Sequence, residues 1–130
     1  MIKDQVLEEK VFFINRALLK QYADASGDQN PIHQDEAFAK SVGLPDVIAH
    51  GMLTLALVGK YVSEIAGGSA NVLELGGRFT KPVIVPAGAE VDLTVTATVS
   101  EVIDGKVSLS LTATSADVKV LGMAKAVIKV

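Results

Sequence analysis

The stretch SGDQNPIHQD, residues 26–35, places carboxylates and an imidazole beside residues that favour turns. Its glycine, asparagine and proline do not suit regular structure, so an irregular loop is predicted over the segment from Asp28 to His33. Loops held by a rigid scaffold often carry chemistry. Asp28 and His33 are five positions apart and can turn toward one point, where they could hold a water or hydroxyl group between them. This is the arrangement of a general acid and base pair.

The same loop also has a purely structural interpretation. Asp28 could cap a turn, Asn30 could complete it, and His33 could be a surface residue. The sequence of the loop alone leaves both interpretations open.

A second segment, IAHGMLT at residues 48–54, contains the other histidine of the chain. His50 and Gly51 precede an apolar helical pattern, and the free amides at a helix N-terminus can bind a carbonyl oxygen that becomes an oxyanion. Gly51 would permit close approach. Together the two segments offer a base and an oxygen-binding donor, which deprotonation of a carbon next to a thioester carbonyl requires. Alternatively, His50 is a helix-entry residue bonded to the backbone.

Other chemistries fit these residues less well. The spacing of Asp28, His33, Asp35 and His50 matches no common metal-ligand pattern, so no metal site is predicted. No serine lies in a nucleophile-elbow context, and the chain has no cysteine. Asp24 and Asp35 are interpreted as solvated turn or cap residues.

The composition limits the classes of function further. A chain of 130 residues with a formal charge of −3 fits one domain, residues 1–130, and has no basic block for nucleic acid. No signal peptide and no apolar run long enough to span a bilayer is visible. We therefore expect a soluble cytoplasmic protein.

The second half of the chain has the period-two alternation of strands that bury one face. An Asp104-Gly105 dipeptide between two such runs predicts a hairpin, and Gly76-Gly77 predicts a bulge in an earlier strand. The predicted strands are an edge strand at Val6–Phe13, an irregular strand at Val72–Val83, strands at 91–99 and 107–114, and a last strand at Val118–Val130.

Between these strands and the loop, Gly51–Ala66 is predicted to form a helix, closed by Gly67-Gly68. Its first two turns are apolar around nearly the whole circumference, so the helix should be surrounded. The simplest arrangement is an α+β hot dog fold, in which one curved antiparallel sheet wraps around this helix. A short helix at Asn15–Ala25 and a turn at Asp35–Lys40 would form an overlay.

The runs ASGDQNPIHQDE at 25–36, AKSVGL at 39–44 and IAHGMLT at 48–54 resemble the MaoC-like dehydratase family, the (R)-specific enoyl-thioester hydratases. Within that family they look most like the catalytic beta subunit of mycobacterial-type (3R)-hydroxyacyl-ACP dehydratases. The resemblance implies reversible syn addition of water to a trans-2-enoyl thioester in fatty acid metabolism, giving the (R)-3-hydroxyacyl form. It implies no metal and no redox cofactor.

The resemblance also implies roles for single residues. Asp28 and His33 match the catalytic pair, Asn30 matches an orienting asparagine, and Gly51, beside His50, matches the glycine whose amide binds the thioester carbonyl. We expect His33 to handle the carbon proton in dehydration and Asp28 to handle the hydroxyl group.

Substrate carriers and partners follow in the same way. The resemblance implies acyl-CoA or acyl-ACP substrates, whose phosphates would need basic residues; Arg78, Lys81 and Lys60 are the candidates, although surface solubility explains them equally well. It implies a dimer, either a homodimer or a heterodimer with another hot dog subunit, and an open sheet edge also favours association.

Two competing functions share the scaffold. A hot dog thioesterase usually places its carboxylate on or beside the central helix, and here that helix carries only Glu64, near its far end. A subunit that binds acyl chains for a catalytic partner would not need both Asp28 and His33.

Overall fold

A computed structural model describes all residues from Met1 to Val130. The helices are α1 (Arg16–Ser26), α2 (Glu36–Ser41) and α3 (Gly51–Ala66), with single 3-10 turns at Pro31–His33 and Ser69–Asn71. The strands are β1 (Lys10–Ile14), β2 (Val72–Phe79), β3 (Val91–Ile103), β4 (Lys106–Ser115), β5 (Val118–Lys119) and β6 (Leu121–Lys129).

The strands form one antiparallel sheet in the order β1-β3-β4-β6-β2, and the short β5 pairs with β4. Alternate residues of β3 and β4 are buried, as the sequence pattern predicted: Leu93, Val95, Ala97 and Val99 in β3, and Val107, Leu109, Leu111 and Ala113 in β4. The hot dog architecture is confirmed, because this face of the sheet packs with α3 in one core of 24 buried residues.

The predicted turns and bulge are present. Asp104 and Gly105 have φ values of 51° and 75°, which is the left-handed pair that a tight hairpin between twisted strands requires. The pairing of β2 with β6 shifts register between Gly76 and Arg78, so the glycine pair marks a bulge.

The prediction of a single last strand at Val118–Val130 is wrong in detail. It divides into β5 and β6, and both Val120 and Leu121 are buried at the break. Met123, with φ of 49°, then interrupts the alternation within β6. Val130, the last residue of the predicted strand, is 64% exposed, because β6 ends at Lys129.

The prediction that α3 is surrounded is also wrong for the single chain. The buried face of α3 consists of Leu53, Thr54, Val58, Tyr61 and Val62. Met52 is 57% exposed, because the sheet covers the helix from one side only. An apolar strip of the helix is therefore open to solvent.

The overlay helices begin at side-chain caps, as the interpretation of Asp35 as a cap predicted. Asn15 accepts a bond from the Leu18 amide at the start of α1, and Asp35 accepts one from the Phe38 amide at the start of α2. The C-terminus of α1 is closed by Gly27 in the left-handed conformation. None of the helices is both long and apolar enough to cross a membrane.

Candidate active site

The loop between α1 and α2 is shaped by its own side chains. Asp28 Oδ1 accepts a hydrogen bond from the Asn30 amide at 3.1 Å, and Asn30 Oδ1 accepts one from the Ile32 amide at 3.2 Å. The predicted turn roles of Asp28 and Asn30 are therefore confirmed. The interpretation of His33 as a surface residue is wrong, because the 3-10 turn after Asn30 carries that side chain inward and leaves it only 7% exposed.

The ring of His33 is fixed by a backbone group. Its Nδ1 lies 2.7 Å from the Ile48 carbonyl oxygen, and since a carbonyl only accepts, Nδ1 must carry the proton of the neutral ring. The lone pair is then on Nε2, which lies 4.0 Å from Asp28 Oδ2. The Asp28 side chain is half exposed. The structure thus brings the predicted pair together, with a basic nitrogen turned toward a carboxylate.

His50 contacts both the His33 ring and the backbone of the loop. Its ring stacks on that of His33 with centroids 3.8 Å apart, and the edge of Tyr22 packs against it at 4.8 Å. Its Nε2 lies 3.2 Å from the Asp28 carbonyl oxygen and so donates to it. This confirms the interpretation of His50 as a helix-entry residue bonded to the backbone.

The charge state of His50 follows from its surroundings. Burial lowers the pKa of the His50 ring, and a positive charge on His33 would lower it further, whereas the Asp28 carbonyl acts in the opposite direction. Its Nδ1 is sealed from solvent and has no hydrogen-bond partner. The His50 ring is therefore more easily kept neutral than a histidine in water.

A cavity of about 280 Å³ opens beside His33 at the N-terminus of α3. It is lined by His33, Ile48, Ala49, Gly51, Thr54, Phe79, Thr80, Lys81, Pro82, Val83 and Val120. The first carbonyl of the helix, that of His50, accepts hydrogen bonds from the amides of Leu53 and Thr54. The amides of Gly51 and Met52 come before these and donate no hydrogen bond within the chain, as is usual in the first turn of a helix. The helix therefore presents one free amide, that of Gly51, at the cavity.

Phe79, the last residue of β2, covers the start of the helix. A Cβ atom placed on Gly51 would lie 3.1 to 3.2 Å from three atoms of the Phe79 ring, closer than carbon atoms normally pack. The absence of a side chain at Gly51 therefore lets the ring lie directly against the backbone that carries the free amide.

Backbone pairing connects the two sides of the cavity. The Ala49 amide donates to the Val83 carbonyl at 2.9 Å, and the Val85 amide donates to the Val47 carbonyl at 2.8 Å. The Ile48 amide donates to the Ile32 carbonyl at 3.2 Å. The segment before α3 thus joins the loop that carries Asp28 and His33 to the segment after β2.

Arg16, the first residue of α1, binds two segments of the same region through its side chain. Its Nε donates to the Val85 carbonyl at 2.6 Å, and one terminal nitrogen lies 2.9 Å from Asp46 Oδ1. The pKa of Asp46 is lowered chiefly by a hydrogen bond from the Val47 amide, with a further contribution from the Arg16 charge. Asp46 is therefore ionised near neutral pH and holds the chain four residues before His50.

The site has three groups of the kind that bind metals, but their geometry does not favour a metal. Asp28, His33 and His50 each offer one atom that could ligate a metal, and these three atoms lie within 4.8 Å of one another. The two rings are stacked with an angle of 24° between their planes, so their lone pairs lie in nearly parallel planes and do not converge. One nitrogen of each ring is also committed to a carbonyl oxygen.

The other predicted site residues lie in different places. Of the three basic candidates, Lys81 lines the cavity, whereas Arg78 and Lys60 are exposed outside it. Asn30 is exposed in the loop and contacts the Ile32 amide. Its proposed role in orienting substrate stays a prediction.

Thr54 and Phe79 are among the residues of the cavity wall that sequence reasoning missed. Thr54 could have been noticed as the one hydroxyl in the apolar run that opens α3, three positions after Gly51. Phe79 had no comparable pattern, because its position over Gly51 depends on how β2 pairs with β6.

Comparisons with known proteins agree with this geometry. The family model of the MaoC like domain matches residues 1–119. The "3-hydroxyacyl-thioester dehydratase X" of Mycobacterium tuberculosis is 42% identical over 79 residues, which cover 61% of this chain and 27% of that protein. The chain therefore spans about a quarter of the length of this curated relative.

Solved structures match over nearly the whole chain. A "MaoC-like dehydratase" superposes with a TM-score of 0.96 at 32% identity, covering 99% of this chain and 40% of the other. The R-hydratase PhaJ1 from Pseudomonas aeruginosa, in its unliganded form, superposes with a TM-score of 0.85 at 30% identity, covering 99% of this chain and 81% of the other.

Proposed function

This chain belongs to the MaoC-like domain family, and we propose that its site adds water reversibly to a trans-2-enoyl thioester, forming the (R)-3-hydroxyacyl thioester. The observation that carries the proposal is the distance of 4.0 Å between Asp28 Oδ2 and His33 Nε2, with His33 on the wall of a cavity that begins at Gly51. Relatives named as a 3-hydroxyacyl-thioester dehydratase and an R-hydratase support the same reaction.

The geometry suggests how dehydration proceeds. His33 Nε2, which carries the lone pair, takes the proton from the carbon next to the thioester carbonyl, and the negative charge moves to the carbonyl oxygen. The free amide of Gly51 donates a hydrogen bond to that oxygen. The C3–O bond then breaks, and the leaving hydroxide takes the proton held between His33 and Asp28 and departs as water. Hydration is the reverse, so neither direction changes the number of protons on the enzyme.

A hydrolase is less well supported. The only carboxylate on α3, Glu64, lies 2.7 Å from the Lys10 ammonium group at the far end of the helix. It does not line the cavity. A thioesterase that used this residue would need its carboxylate near the thioester carbonyl.

Of the three basic candidates, Lys81 is now the preferred contact for a phosphate of the CoA or ACP carrier. It lies on the wall of the cavity and also on the wall of a second cavity of about 480 Å³. A thioester held between Gly51 and His33 could extend its carrier past this ammonium group. The cytoplasmic location predicted from the sequence is part of this proposal.

We also propose that the chain works as a dimer, with itself or with another hot dog subunit. Strand β2 forms one edge of the sheet, and Leu73 on it is 46% exposed. Met52 on α3 adds an exposed apolar side chain. A second sheet would cover unpaired strand edges of this kind. Light scattering of the purified chain should give twice the mass of one chain, or the monomer mass until a partner is added.

Hydration of crotonyl-CoA tests the reaction. Loss of enoyl absorbance without release of free thiol is expected, whereas a hydrolase would release thiol and a binding subunit would do neither. Asp28→Asn keeps an oxygen for the Asn30 amide and removes the charge, so we expect intact folding and a loss of about a hundred- to ten-thousandfold in kcat. His33→Gln should lose a similar factor.

A matched control is Asp24→Asn, which makes the same chemical change at an exposed acid near the end of α1. We expect it to retain full activity. Equal activity of Asp28→Asn and Asp24→Asn would contradict the proposed role of the pair.

A further inference from the structure

The hydroxyl group of Thr54 stands out among the polar groups of the cavity wall. The residue is only 4% exposed, yet its Oγ1 makes no hydrogen bond within the chain. The only side-chain polar atom that is both sealed and without a partner is His50 Nδ1, so Thr54 Oγ1 must keep access to the cavity that the residue lines. The chain thus leaves a largely buried hydroxyl free on the wall of the cavity.

Other hydroxyl groups in comparable positions are used by the chain itself. Ser63, in the same helix, donates to the Gly59 carbonyl at 2.8 Å, four residues earlier, which is the common bond of a helical hydroxyl. Thr80, on the same cavity wall, donates to the Lys119 carbonyl at 3.2 Å. The carbonyl available to Thr54 in this way is that of His50, which already receives the Leu53 and Thr54 amides.

The geometry of a helix sets the direction of the Thr54 side chain relative to Gly51. Side chains three positions apart lie on the same face, and each Cα–Cβ bond tilts toward the N-terminus. Thr54 is three positions after Gly51, so its side chain leans back toward the free amide at the start of α3. Both groups line one cavity with His33.

We infer that the Thr54 hydroxyl is a second donor to the thioester carbonyl oxygen, beside the Gly51 amide. This inference rests on the proposed function. As the carbon next to the carbonyl loses its proton, negative charge develops on that oxygen, and two donors held in place before the reaction stabilise it better than one. The hydroxyl donates a hydrogen bond only and exchanges no proton with the substrate.

The test compares two substitutions that separate the hydroxyl from the packing. Thr54→Val keeps the branched shape and removes the hydroxyl, whereas Thr54→Ser keeps the hydroxyl and removes a methyl group. A donor predicts that Thr54→Val lowers kcat for crotonyl-CoA hydration by about a hundredfold with little change in KM, and that Thr54→Ser retains most of the wild-type kcat. A purely structural role predicts the reverse order. Ser63→Ala, which removes a bonded hydroxyl from the same helix, is the control.

A second readout does not depend on turnover. Butyryl-CoA labelled with ¹³C at the carbonyl is saturated and cannot be hydrated, so infrared difference spectra of its complex report only on bonds to that oxygen. The carbonyl band should move to lower frequency in wild type and in Thr54→Ser, and should move less in Thr54→Val.

The outcomes separate the two proposals. Equal kcat and equal band positions in wild type and Thr54→Val would overturn the role of Thr54 while leaving the hydratase intact. Failure of the wild-type protein to hydrate crotonyl-CoA would overturn the proposed reaction, and the infrared comparison would still decide whether Thr54 bonds the thioester. No band shift in wild type would overturn the inference as well.

Discussion

A methyl group added at Gly51 would test how the start of α3 and the end of β2 form the cavity together. In Gly51→Ala the new Cβ would lie 3.1, 3.1 and 3.2 Å from three atoms of the Phe79 ring. Carbon atoms pack at about 3.5 to 4.0 Å, so the ring has to move by about 0.4 to 0.9 Å. Phe79 is 51% exposed at the end of an edge strand and can swing outward.

Stability and activity should therefore respond differently. The strain is relieved at the surface, and alanine favours a helix over glycine by up to about 1 kcal/mol, so we expect the free energy of unfolding to change by less than about 1 kcal/mol. Activity should fall by roughly tenfold or more, since a displacement approaching 1 Å beside a reacting group can cost about a hundredfold in rate. Urea unfolding and hydration of crotonyl-CoA measure the two quantities.

A double variant identifies the cause of the loss. If the methyl group acts by displacing the ring, Gly51→Ala combined with Phe79→Ala should be as active as Phe79→Ala alone. A double variant that is no better than Gly51→Ala would show that the methyl group itself blocks the thioester. Wild-type activity in Gly51→Ala would refute the placement of the reacting carbonyl at this amide.

Further predictions follow from the charged and buried groups. Burial lowers the pKa of His50 below its usual value of 6.5, so near that pH the unfolded chain binds a proton that the folded chain does not. The free energy of unfolding should therefore fall as the pH drops below 6.5, until His50 of the folded chain is itself protonated. In urea unfolding, His50→Gln should weaken this dependence on pH. Arg16→Met should lower the free energy of unfolding by about 2 kcal/mol, because the Val85 carbonyl loses a charged donor. Lys10→Ala should change it by less than about 1 kcal/mol in the same experiment, since Lys10 and Glu64 are both well exposed.

Much of the fold could be predicted because short-range rules decide it. The alternation in β3 and β4 fixes which face is buried, and Asp104-Gly105 fixes the hairpin between them. The alternation failed where the backbone departs from a regular strand. Met123 adopts a positive φ within β6, and no local pattern indicates it, because the residue is neither glycine nor asparagine.

The pair of Asp28 and His33 could be proposed from the sequence as catalytic because both residues lie in one loop, but their geometry could not be predicted. The separation of Asp28 and His33 depends on the Ile48 carbonyl, which holds the His33 ring, and on His50, which stacks against that ring and bonds the loop backbone. Both supports come from a segment at least fifteen residues further along the chain. Spacing within the loop carries no information about them.

The cavity wall also depends on contacts between distant segments, which spacing within a motif does not predict. The donor at Gly51 was predicted from a helix start, whereas the surface it faces comes from Phe79 and Lys81, which reach it only after β2 has paired with β6. In the proposed reaction, a motif of a few residues supplies the groups that exchange protons, while residues at the end of a distant strand and just after it decide how closely the acyl group approaches them. This is why the Gly51→Ala and Phe79→Ala pair is informative: it changes the fit between the two segments without removing Asp28 or His33.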